Sequence, residues 1–107
     1  AEFVGPDSND VESLRCRARL LMAQGKFLDA AALWRRIAAA HKSDGEIGGW
    51  LRWRAKYYEL RCCTRSGEIE DSELVHTIEV LQSSGVKIVK PWGTRLKSLR
   101  GELGANR

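Results

Sequence analysis

The sequence predicts an all-α fold, about five helices arranged as antiparallel hairpins. Apolar residues recur three and four positions apart in five separate stretches. Glycines stand between these stretches, at Gly25, Gly45, Gly67 and Gly85. Strand-like alternation is confined to Val86-Lys87-Ile88-Val89, which is short and has no partner run.

The first helix is expected over residues 10 to 24. Val11, Leu14, Ala18 and Leu21 make its core face, flanked by Leu20 and Met22, and Arg15 and Arg19 lie one turn apart on another face. Gly25 then occupies a site that favours a left-handed residue, which glycine adopts without a Cβ penalty. The second helix is expected over residues 27 to 41. Phe27, Ala30, Ala31, Trp34 and Ile37 form its apolar face, and Ala30 is small enough to let two helices approach closely. Ala38-Ala39-Ala40 has high helix propensity and little to bury. Ser43-Asp44-Gly45 breaks the pattern. A third helix starts near Ile47 or Gly49 and reaches Ser66, with Trp50, Trp53, Tyr57 and Leu60 on one face. A fourth covers residues 70 to 84, with Leu74, Ile78 and Leu81 inside and Val75 and Val80 beside them. Its acidic first turn suits the positive end of the helix dipole. Pro91 opens the fifth, because its missing N–H costs nothing in a first turn. Trp92, Leu96, Leu99 and Leu103 give that helix one stripe.

A length of 107 residues suits one domain. We expect residues 1–9 to be a flexible N-terminal segment or an expression remnant, 10–103 the helical domain, and 104–107 a frayed end. The formal charge of +4 is mild, but it is unevenly distributed. Residues 50–65 and 86–107 are basic, whereas residues 66–85 carry five acids and no lysine or arginine. Such blocks suit complementary helix faces or a partner surface. The odd cysteine count, with Cys62 and Cys63 adjacent and Cys16 apart, argues against a disulfide framework. Buried free thiols and a reducing, cytoplasmic setting are expected instead. No apolar run approaches the length of a membrane span, and no signal peptide is expected.

A six-residue pattern recurs. Gly25-Lys26-Phe27-Leu28-Asp29-Ala30 aligns with Gly67-Glu68-Ile69-Glu70-Asp71-Ser72. In both, a glycine precedes a hydrophobe, an acid and a small residue at the same offsets. The first hairpin resembles a tetratricopeptide repeat. Leu14, Ala18 and Leu21 match its first helix, Gly25 and Phe27 its turn, and Ala30 and Trp34 its second helix. Arg17 and Ile37 depart from the pattern, and there is no terminal proline. The second unit is degenerate, with Ser72 in the alanine position, and the last helix resembles a capping helix. The spacing exceeds the ~34 residues of such a unit, which places the excess in a longer connection around Ser43–Gly49. The resemblance implies a short right-handed solenoid; a plain bundle is the alternative.

Catalytic constellations are not visible. His41 and His76 are far apart, and no phosphate loop, zinc-protease motif or nucleophile elbow occurs. Adjacent cysteines lack zinc-ligand spacing. An enzyme, a metal and a cofactor are therefore not expected. The most distinctive run is Trp50-Leu51-Arg52-Trp53-Arg54-Ala55-Lys56-Tyr57-Tyr58. It reads as an amphipathic helix with rings inward and bases outward, some stacked as cation–π pairs. The resemblance adds a binding reading, because the first helix of each tetratricopeptide unit lines a groove. That geometry would bring together Arg15, Arg19, Met22 and Ala23 with Arg54, Tyr57, Arg61 and Arg65. The expected function is a protein–protein interaction module holding an acidic or carboxylate-terminated peptide on Arg15, Arg19, Arg54, Tyr57, Arg61 and Arg65. The alternatives are a nucleic-acid-binding helical domain and a structural capping or oligomerisation domain of a larger protein.

Overall fold

The computed structural model describes residues 11–41, 45–85 and 87–105. The expected segment 1–9 and the tip of the C-terminus lie outside these. The described residues form five helices and no strand: α1 (Val11–Ala23), α2 (Phe27–Ala40), α3 (Gly45–Ser66), α4 (Asp71–Ser83) and α5 (Trp92–Ala105).

The α1–α2 turn is closed by backbone chemistry. Gly25 adopts φ +78°. The Lys26 N–H donates to the Leu21 carbonyl at 2.9 Å, and the Gly25 N–H donates to the Met22 carbonyl at 3.1 Å. This pair of bonds is a Schellman motif, which satisfies carbonyls that the helix end leaves open. Two residues after Gly25 the chain is already helical, so α2 runs straight back along α1.

Gly67 also has a positive φ, +70°, but the chain does something different there. Residues 67–70 stay outside any helix, and α4 begins only at Asp71. Ile69, the counterpart of Phe27, falls in the connection, and Ser72 is exposed where Ala30 is fully buried. The six-residue likeness therefore does not produce two equivalent turns.

Three further expectations are corrected. Gly45 is the first residue of α3 rather than a break before it. The added length lies in the 22 residues of α3 itself, not in a long loop over Ser43–Gly49. Ala38 does have something to bury: it is only 5% exposed.

Helix α3 is the spine of the molecule. It packs along α2 on one side and against α5 on another, and α2 in turn packs on α1. Helix α4 rests on α5 and touches α3 only lightly. The contact predicted at Ala30 is made at zero exposure. All four stripe residues of α5 are buried, as are Trp53, Tyr57 and Leu60 of α3. Leu20 and Val80 are exposed, because each lies about 100° round its helix from a core neighbour.

Aromatic rings fill the space between α2, α3 and α5. Trp34 stacks on Tyr58 with centroids 5.1 Å apart. Trp92 meets Trp50 edge-on at 5.2 Å and lies 5.7 Å from Tyr57. No helix among the described residues is long and apolar enough to cross a membrane.

Candidate arginine-lined site

Two turns of α1 set the first wall of the site. Arg15, Arg19 and Met22 are four and three residues apart, so they share a helix face. Arg54 and Tyr58, four apart on α3, make the facing wall, and Trp34 of α2 joins them. Together these six residues line a cavity of about 360 Å³.

Its floor is apolar and fixed. The Trp34 indole N–H points to the Met22 sulfur, 3.4 Å away, and the Trp34 ring lies against Tyr58. Both contacts hold side chains from three helices in register. Arg54 is half-buried, with its guanidinium 5.4 Å from the centre of the Trp50 ring. Stacking of this kind satisfies the cation's face and leaves its edge for hydrogen bonds. The Arg54 Nε is buried and has no hydrogen-bond partner among the described residues.

The electrostatics follow from the same arrangement. Burial pushes the Arg54 guanidinium below its ordinary range, and the like charge of Arg15 adds to that. Arg15 is tied to Glu12, one turn earlier in α1. Their hydrogen bond holds the Glu12 carboxyl below the usual carboxylate range and keeps Arg15 above its own. Neither Arg19 nor Arg54 is hydrogen-bonded to a carboxylate among the described residues.

The structure divides the sequence-derived set. Arg15, Arg19 and Arg54 converge on the cavity together with Met22. Tyr57 faces elsewhere: it is buried beside Trp92, and its hydroxyl accepts a 2.8 Å bond from Arg61. Arg61 is thereby turned to Tyr57. Arg65 lines a different depression, with Gly25, Lys26, Phe27, Leu28, Asp29, Ser66 and Glu68. Ala23 is exposed and does not line the cavity. The aromatic members of the site are Tyr58 and Trp34, neither of which is in the set expected from sequence. The signal for Tyr58 was present, since it follows Arg54 by one helical turn.

On the other side of α3 a second depression is lined by Arg35, Ala38, Ala39, Arg52, Trp53, Lys56 and Leu81. Its bases are already engaged. Glu59, buried at 7% exposure, accepts from Arg35 at 3.1 Å and from Lys56 at 3.2 Å, and Arg52 stacks on Trp53. Compared with protein-family models, curated proteins and solved structures, the chain matches none.

The cysteines need one correction. All three thiols are free, and Cys62 and Cys63 are buried, but Cys16 is exposed. Two residues separate Cys16 from the buried Leu14, which turns it about 200° round α1, away from the core. Burial pushes the Cys62 thiol up to about 11, with Cys63 adding to it. Burial also raises Cys63, helped by the Glu59 carboxylate. Thiolates are the reactive form. Iodoacetamide at neutral pH should therefore alkylate Cys16 alone in the native protein, with Cys62 and Cys63 following only on denaturation. Three rapid adducts in the intact-mass spectrum of the native chain would contradict this.

Proposed function

We propose that the domain is a protein–protein interaction module that takes an acidic or carboxylate-terminated peptide segment on the Arg15–Arg19–Arg54 cavity. The observation that carries this reading is convergence. Two helices far apart in sequence bring three guanidinium groups to one apolar-floored cavity, and two of them have no hydrogen-bonded carboxylate among the described residues. Arginine suits the task because its planar fork holds a carboxylate through two hydrogen bonds. Met22, Trp34 and Tyr58 would cover the apolar part of the bound segment. The domain acts by binding and not by catalysis, and its free thiols suit a cytoplasmic setting. The Schellman turn after α1 supports a tetratricopeptide-like first hairpin, with α3–α5 as a divergent continuation.

A panel of Glu- and Asp-rich peptides with free C-termini provides the test. The wild-type chain should retain members of the panel. Replacing Arg19→Glu together with Arg54→Gln should lower their affinity about a hundredfold, since charge-assisted bonds are worth about 1.5–3 kcal/mol each. Replacing Arg61→Glu with Arg65→Glu should leave affinity nearly unchanged. Circular dichroism checks that both variants keep their helices. Equal binding by wild type and the Arg19/Arg54 variant would remove the cavity from the function. Retention of bulk RNA or DNA that falls steeply with salt would replace the reading with nucleic-acid binding. Retention of neither would leave a structural capping domain.

A further inference from the structure

The charge balance of the cavity points beyond a simple carboxylate. Of its three guanidinium groups, one is answered by Glu12 on Arg15. Among the described residues no carboxylate is hydrogen-bonded to Arg19 or Arg54, and the Arg54 Nε is buried without a partner. A single carboxylate would balance one of the two. A phosphate monoester carries about −1.5 to −2 at pH 7 and three strong acceptor oxygens. Its charge matches the unanswered pair, and its oxygens match the several N–H donors that two guanidinium forks present.

The floor adds a second condition. Trp34 and Tyr58 are stacked on each other at 5.1 Å, with Met22 held against the indole. Tyr58, half-buried and backed by the buried Trp34, offers an aromatic surface beside the cations. A bound group gains most there when the phosphate sits on a flat aromatic carrier that lies against Tyr58, since aromatic pairs gain stability beyond the area they bury. The cavity, about 360 Å³, is at the small end of ligand pockets, which suits one side chain and not a long segment.

We infer that the Arg15–Arg19–Arg54 cavity is a receptor for a phosphate monoester carried on an aromatic side chain, as in a phosphotyrosine-bearing peptide. This rests on the proposed peptide-binding function and names the group that occupies its centre. Arg19 and Arg54 hold the phosphate oxygens, Arg15 contributes from its pair with Glu12, and the ring lies against Tyr58, which the buried Trp34 backs.

The test uses a short Glu-flanked peptide labelled with a fluorophore and carrying one phosphotyrosine. It is compared with the same peptide bearing tyrosine or glutamate at that position. Inorganic phosphate and phenyl phosphate serve as competitors, with fluorescence polarisation as the readout. The phosphopeptide should bind about tenfold or more tighter than the glutamate version, as two further charge-assisted bonds allow. Phenyl phosphate should compete at lower concentration than inorganic phosphate. Arg54→Gln should remove the preference for phosphate, and Tyr58→Leu should remove the advantage of phenyl phosphate over inorganic phosphate.

Equal affinity for the phosphotyrosine and glutamate peptides would overturn the inference and leave the acidic-peptide function standing. Equal competition by the two phosphates would overturn the aromatic carrier. Failure of every peptide to bind, together with an empty acidic panel, would overturn both readings.

Discussion

Replacing Trp92→Ala should cost about 3–5 kcal/mol, the range for truncating a buried tryptophan. A domain of this size has about 5–15 kcal/mol of stability in all, so this single change should remove a large share of it. Trp92 is 3% exposed and sits where α5 meets α3, against Trp50, Tyr57 and Tyr58. Arg95 covers its ring at 5.0 Å. Deleting the indole leaves a void that packed helices close only partly, and it removes three aromatic pairs at once. Trp92→Phe should be much milder than its loss of volume implies. The Trp92 indole N–H is buried without a hydrogen-bond partner among the described residues. An unsatisfied donor of that kind costs about 1–3 kcal/mol, and phenylalanine removes it. Urea denaturation followed by circular dichroism reads both effects. A midpoint in Trp92→Ala close to wild type would show that α5 is not pinned through this ring.

Glu59 gives the second large effect, and its size depends on which partner is removed. The carboxylate is buried, whereas the Arg35 and Lys56 side chains that bind it are 65% and 34% exposed. Taking away both bases, Arg35→Ala with Lys56→Ala, leaves a buried charge with no partner. The expected loss is about 3 kcal/mol, at the low end for breaking a buried pair. Glu59→Gln leaves the two cations able to turn to water and should cost about 1 kcal/mol or less, as exposed pairs do. The asymmetry is the discriminating result. Equal losses in the two variants would mean that Glu59 is effectively solvated.

The parts of the fold legible from sequence were those in which one residue type has one physical reason to be where it is. Trp92, Leu96, Leu99 and Leu103 form a single narrow stripe on an otherwise polar helix, and all four are buried. Gly25, Gly67 and Gly85 read as helix stops, and all three have positive φ. Gly45 misled because a glycine has low helix propensity, yet the chain around it is helical. Propensity is a weak preference that the rest of the fold overrode. Cys16 misled because cysteine is often buried as a type, while its position round α1 faces away from α2.

The site was half legible. Arg15, Arg19 and Met22 could be grouped from their spacing alone. Choosing between Tyr57 and Tyr58 required knowing which side of α3 is covered by α5, and that depends on a helix more than thirty residues downstream. Trp34 reads as core from its spacing, and it is core at 2% exposure. That the same ring also floors a cavity depends on how α1, α2 and α3 are placed in space, and no periodicity within one helix reports it.

The light contact between α4 and α3 has a consequence for how the molecule opens. Cooperative units within a native protein open at different free energies, set by what each has packed against it. Helix α4 has α5 as its main neighbour, and α5 carries most of that pair's contact with the spine. The α4–α5 pair should thus open as one unit, below the free energy of global unfolding, while α1, α2 and α3 stay closed. Amide protons of α4 would then exchange together with those of α5 and sooner than those in the middle of α2. The arginine-lined cavity lies wholly within the slower unit, so its walls would persist through the openings of the other end.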